Sequence, residues 1–243
     1  MNTIASNLQL GRVSMRTVLE SAHGALFDLD GTLLDFEGAA HACLNSALTP
    51  AVLNWLGRDE PVTWALHAQI VGQKGTLWSR TILDALEVPS SMLSPAEYLH
   101  NWHRDLEEHY PSMTLLPGAL ETVRFFKERG LPVAIATSSE RSGMLMKTSF
   151  HPELMRLVDQ VVTGDQVVNS KPMPDIFLRA ADAIGVPANY CLVFEDAPSG
   201  VTAGKSAGAT VIAVPDPRFA AWNADKFDNA DYVLNSLCEL FET

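Results

Sequence analysis

The chain has 243 residues, 47% of them hydrophobic, enough for a substantial core in one large domain or two unequal ones. With 17 Lys and Arg against 29 Asp and Glu its formal net charge is −12 and no basic cluster stands out, which argues against a nucleic-acid partner. Cys43, Cys191 and Cys238 form no CxxC and fit a reduced, cytoplasmic protein better than a disulfide framework, and no apolar run approaches the roughly 18 residues of a membrane span.

Residues 1–22 read as an N-terminal extension or short leading helix; Arg12 and Arg16, with no acid before Glu20, leave a targeting segment as the alternative. Gly24-Ala25-Leu26-Phe27 is a short apolar run of the kind that forms a buried strand in a parallel sheet. It leads into Asp28 and Asp30, followed by the turn signal Gly31-Thr32. Residues just past the carboxyl end of such a strand line the ligand crevice of an open α/β sheet. Two carboxylates that close repel each other, and a shared proton or a divalent cation relieves the repulsion; Mg²⁺ suits an all-oxygen site.

From about 36 to 111 strand-like alternation is absent and apolar anchors, among them Trp55, Trp64, Trp78 and Trp102, recur at helical spacing. Leu77, Ile82, Leu83 and Leu86 mark one amphipathic helix; Val88-Pro89 ends it and Ser94-Pro95 opens the next with a cap and a first-turn proline. After Leu116-Pro117-Gly118 helices and strands alternate. Helix 119–129 stops at Gly130, strand 131–136 ends in Thr137-Ser138-Ser139, and a helix starts near Glu140. Strand 160–163, helix 174–184, strand 190–194 ending in Glu195-Asp196, helix 197–207 and strand 210–214 follow. This alternation predicts an α/β fold, a doubly wound parallel sheet with right-handed crossovers, interrupted by an all-helical insertion.

In a parallel sheet the polar strand ends meet on one edge. Asp28 and Asp30, Thr137 and Ser138, Lys171 in the loop 169–172, and Glu195-Asp196 would then form a cation site beside a hydroxyl pair and an ammonium. That combination suits a phosphate monoester, whose oxygens metal and lysine neutralise.

These four sets, in this order, resemble the haloacid dehalogenase superfamily of phosphotransferases with a helical cap between the first and second strands. Asp28-Leu29-Asp30-Gly31-Thr32 matches the DxDGT motif, Thr137-Ser138 the Thr/Ser motif, Lys171 the lysine motif and Glu195-Asp196 the acidic motif. The resemblance implies a catalytic core of residues 23–35 and 112–243, a cap of 36–111, and a phosphatase working through an aspartyl-phosphate. It makes Asp28 the nucleophile and Asp30 the acid that protonates the leaving oxygen and then activates water. Mg²⁺ would be held by Asp28, the carbonyl of Asp30 and Asp196, with Glu195 near or on it. Thr137 and Ser138 would bind the phosphoryl group, and Lys171 would pair with Asp28. The stretches 171–178, 193–201 and 214–218 resemble the branch of pseudouridine-5′-phosphatase- and glycerol-3-phosphatase-like enzymes, and Val71-Gly72-Gln73-Lys74 matches its specificity loop, which makes Gly72 and Lys74 candidate contacts for the leaving group. The partner expected is a small phosphorylated metabolite. Oligomeric state is not readable, with a monomer the default. A β-phosphoglucomutase-like mutase is the rival; the histidine such enzymes carry after the first motif falls here at Ala40, with His41 adjacent, and Asp35-Phe36-Glu37 departs from the common Asp-Thr/Ser-Glu. A non-catalytic binding protein of the same fold is the remaining alternative, disfavoured by four intact motifs.

Three look-alikes are set aside. Gly200 to Ser206 imitates a phosphate-binding loop one residue short and inside a predicted helix, where small residues instead permit close helix–sheet packing. His103-Arg104-Asp105 copies a kinase tripeptide without its companions, and His100 with His103 reads as an ordinary helix face.

Overall fold

The computed structural model describes residues 15–71, 75–219 and 224–241. Six strands form one parallel sheet: β1 (Gly24–Phe27), β2 (Val133–Ala136), β3 (Gln160–Val162), β4 (Cys191–Glu195), β5 (Thr210–Ala213) and β6 (Tyr232–Val233), in the order β3-β2-β1-β4-β5-β6. The chain winds outward from β1 to β3, then returns to the other side of β1 as β4. The reversal point, where an open sheet forms its crevice, lies between β1 and β4. Residues of β1, β2 and β4 are buried throughout, as strands covered on both faces must be. The two-residue edge strand β6 carries no apolar run long enough to announce itself in the sequence.

Strand side chains alternate between two cores. Ala25, Phe27, Val133, Ile135, Leu192, Phe194 and Ile212 face one side, where Phe27 stacks on Phe194 at 4.6 Å between ring centroids and Phe126 closes edge-on. Helices α1 (Met15–Ser21), α7 (Ala119–Glu128), α8 (Arg141–Thr148) and α9 (Pro152–Leu157) cover this face. One helix is expected between β2 and β3; two form, because the segment breaks at Ser149 to His151 and Pro152 restarts it. The opposite face is built of small residues, Ala134, Ala136, Ala180 and Ala203 among them, and packs on α10 (Asp175–Ala183) and α11 (Pro198–Ser206). Gly204 of the phosphate-loop look-alike sits here: a Cβ on it would lie 2.8 Å from Val211 Cγ2, so its role is close helix–sheet approach.

Between β1 and α7 run α2 (Phe36–Ser46), α3 (Pro50–Leu56), α4 (Trp64–Ile70), α5 (Gly75–Ala85) and α6 (Pro95–His109). Asp35, Thr49, Thr63 and Ser94 cap α2, α3, α4 and α6, the last through a full capping box with Glu97. These helices enclose their own hydrophobic cluster, in which Trp78 meets Tyr98 and Trp102 edge-on. Leu77, expected on the apolar stripe of α5, is exposed instead, and Trp78 takes the buried position beside it. The chain enters and leaves the insertion side by side: Asp35 N donates to Thr114 O at 2.9 Å and Leu116 N to Leu33 O at 2.9 Å.

Candidate active site

Asp28 follows β1 directly, its N–H still extending the ladder by donating to Phe194 O at 3.0 Å. The chain then turns so tightly that Gly31 takes φ +85°, and a Cβ there would lie 2.2 Å from Asp196 Oδ2. Only glycine meets both demands. Thr32 Oγ1 donates to Asp196 Oδ1 at 3.3 Å, so the first and fourth motifs touch.

Lys171 ties three strand ends together. Its buried ammonium donates to Asp28 Oδ1 (2.5 Å) after β1, to Glu195 Oε1 (2.6 Å) ending β4, and to Ala136 O (3.3 Å) ending β2. All three protons are thereby placed. Burial alone would push this ammonium down, but Asp28 and Glu195 more than offset it and hold it above the ordinary lysine range. Glu195 spends its second oxygen on the N–H of Ala197 at 3.1 Å. Thr137 is buried at the end of β2, where its Oγ1 accepts from Ser139 N at 3.1 Å. Ser138 and Lys171 line a cavity of about 220 Å³ together with Gly164, Asp165 and Ser170. Gly72 and Lys74 lie outside the described residues.

Sequence reasoning missed four further groups. Lys147, on α8, donates to both oxygens of Asp30 at 2.5 Å and to Ser139 Oγ at 2.8 Å, while Ser139 Oγ donates to Asp30 Oδ2 at 2.7 Å. Its signal was available: Met144, Lys147 and Thr148 make the buried stripe of α8, and a lysine on such a stripe demands a partner. Beside α2, Glu37 and His67 meet at 3.3 Å, both buried. Burial pushes Glu37 up to about 8, with Asp30 and Asp216 adding to it, and burial likewise drives His67 down to about 3, so the site favours the uncharged form of each. Arg218 reaches from the loop after β5 to Asp35 at 2.6 Å and Asp216 at 2.5 Å, with Trp64 under its guanidinium.

Asp28, Asp30, Glu195 and Asp196 bring four carboxylates to this edge against the two ammonium groups of Lys147 and Lys171. With all four ionised, two negative charges would stay uncompensated, the charge of one divalent cation. The strain shows in the acids: burial pushes Asp28 up to about 7 and Asp196 well above the carboxylate range, with Glu195 raising both further. Among the described residues no three His, Cys, Asp or Glu side chains are arranged to hold a metal unaided. The side chains crowded here offer oxygen donors, the kind of ligand Mg²⁺ takes.

A family model for haloacid dehalogenase-like hydrolases matches residues 23–208. "Probable pseudouridine-5′-phosphatase" of Drosophila melanogaster is 37% identical over 91% of this chain and 93% of its own length. (DL)-glycerol-3-phosphatase 2 of Arabidopsis thaliana is 34% identical over 88% of this chain and 87% of its own. Among solved structures, a HAD family hydrolase from Deinococcus radiodurans with bound phosphate and sodium superposes with a TM-score of 0.71, at 27% identity over 90% of this chain and 93% of that one. β-Phosphoglucomutase from Clostridium difficile gives 0.65 at 18% identity over 90% and 93%, a likeness of fold alone.

Proposed function

The chain belongs to the haloacid dehalogenase-like hydrolases, and from that premise we propose that it is a Mg²⁺-dependent phosphatase acting on a small phosphate monoester through a phospho-aspartyl enzyme. The observation that carries the reading is Lys171, which holds the Asp28 carboxylate through Oδ1 alone.

Asp28 attacks phosphorus, the bond to the leaving oxygen breaks, and that oxygen takes a proton from Asp30. Asp30 then accepts a proton from water as the water oxygen attacks the aspartyl-phosphate, which releases phosphate and restores Asp28. Lys171, Thr137 and Ser138 face the phosphoryl oxygens. Asp28, the Asp30 carbonyl and Asp196 would hold Mg²⁺, which supplies Lewis-acid neutralisation of phosphoryl charge. Glu195, with both oxygens engaged by Lys171 and Ala197, is better read as the group that fixes Lys171 than as a ligand. Helices α2 to α6 act as the cap, and Gly72 and Lys74, between α4 and α5 in sequence, are the candidate contacts for the leaving group. Against a net charge of −12, a dianionic substrate depends on this local compensation.

A nucleoside monophosphate such as pseudouridine 5′-phosphate, glycerol phosphate and a sugar phosphate are the candidate substrates, the first two after the relatives' names. The mutase histidine position falls at Ala40, and the adjacent His41 stacks its ring on Trp64 at 3.9 Å, which supports the hydrolase reading. Ranking these esters by kcat/KM with Mg²⁺, beside Asp28→Asn, tests the proposal. Phosphate release by the wild type and none by the variant is expected. Turnover surviving in Asp28→Asn overturns the nucleophile, and isomerised product from a hexose 1-phosphate overturns the hydrolase in favour of a mutase.

A further inference from the structure

Lys147 stands outside every motif that the sequence offered, yet it is one of the most committed side chains in the molecule. It comes from the last turn of α8, and only 2% of it is exposed. Its ammonium spans both oxygens of Asp30 at 2.5 Å and donates to Ser139 Oγ; that hydroxyl in turn donates to Asp30 Oδ2. The three groups close a ring. The Phe36 ring, on the first residue of α2, lies 4.7 Å beneath the ammonium and fixes its stem from the insertion side. A carboxylate bonded through one oxygen swings about its Cβ–Cγ bond; one bonded through both, with a hydroxyl bracing the second, has its plane fixed.

We propose that Lys147 and Ser139 are positioning residues for Asp30: they set the plane of the carboxylate that gives a proton to the leaving oxygen and later takes one from water. The inference rests on the role assigned to Asp30 above. Proton transfer tolerates little misalignment, so a carboxylate released from this ring remains beside the reaction but out of line with it. No bond in the reaction involves Lys147 itself. Its loss therefore weighs on the steps that need a proton moved and spares the one that does not.

That distinction is measurable on the full chain with Mg²⁺. p-Nitrophenolate leaves without a proton, so with p-nitrophenyl phosphate the first step bypasses Asp30 while hydrolysis of the aspartyl-phosphate requires it. Rapid-mixing kinetics of Lys147→Met should show a first phase within about 3-fold of wild type and a steady state slowed about 10²-fold, so that a stoichiometric burst of nitrophenolate precedes slow turnover. With glycerol phosphate, whose alkoxide needs the proton, the same variant should lose about 10²-fold without a burst. Ser139→Ala should show the same pattern at about 10-fold or less, since the ammonium bridge remains. Equal losses in both phases, or rates unchanged, overturn the proposal. Should a thermal melt show Lys147→Met unfolded, Ser139→Ala decides: an enlarged burst supports the proposal, and unaltered phases end it. A wild-type enzyme that releases no phosphate from any ester overturns the function proposed above instead, so the two failures are told apart.

Discussion

Two cations in this molecule each sit between two carboxylates, and the difference between them shows how the fold divides its labour. Lys171 joins Asp28 and Glu195 with a side chain only 7% exposed, at the meeting of three strand ends. Arg218 joins Asp35 and Asp216 with a third of its side chain in solvent, where the loop after β5 meets the start of α2. The first arrangement is buried, so its strength is sensitive to a single missing charge. The second meets water through Arg218 and Asp35, with only Asp216 buried, and Asp35 has a second occupation as the cap of α2, accepting from Gly38 N at 3.0 Å. One cluster is buried at the edge to which catalysis is assigned; the other joins the sheet to the helical insertion.

Removing the buried cation should have the largest effect. Lys171→Met leaves Asp28 and Glu195 facing each other without compensation, and we expect a loss of about 3–5 kcal/mol in denaturant unfolding together with a fall in kcat of about 10³-fold or more. A variant of wild-type stability would break the contrast with Arg218 at once. Metal removal probes the same cluster from the other side. Chelation should reduce phosphate release to background, and added Mg²⁺ should restore it while raising Tm, an increase that Asp196→Asn should shrink. A Tm indifferent to Mg²⁺ would mean that the surplus charge is balanced otherwise.

Arg218→Met should act more mildly, costing about 1–3 kcal/mol through Asp216 left unpaired, with the change in kcat/KM falling on KM, because the junction ties the loop after β5 to the start of the insertion and does not touch phosphorus. A drop confined to kcat would contradict that division. The linkage at Glu37 is read differently, as a slope of stability against pH. Its folded pKa is raised from 4.5 to about 8 by burial, then by Asp30 and Asp216, so the folded state holds this proton more tightly than the unfolded one. Its contribution to stability is full below 4.5 and fades as pH rises through 8. Urea unfolding of Glu37→Gln across that window should improve steadily relative to wild type as pH rises; a constant difference would show that Glu37 ionises normally.

The sheet and the floor of the site were legible because both are written locally. Continuous apolar runs mark β1, β2 and β4, and Asp28, Thr137 and Asp196 stand immediately beyond them, so parallel topology brings these together, while Lys171 reaches them from the loop 169–172 after β3. Ser94, Pro95 and Glu97 announce α6 by the same local chemistry. What escaped is what only tertiary contact creates. Lys147 and Asp30 are 117 residues apart, and Asp35 and Arg218 183. Glu37 and His67 are unremarkable polar residues until packing removes their water. β6 pairs through a two-residue register with β5 that no pattern of its own dictates.

The most direct test of the account is to quench the enzyme in acid during turnover with Mg²⁺ and locate the phosphoryl group by peptide mass spectrometry. The account predicts a hydroxylamine-labile phosphate on the peptide that contains Asp28, absent from Asp28→Asn. A phosphoryl group on any other residue, or rapid turnover with no phosphorylated peptide at any quench time, would contradict it.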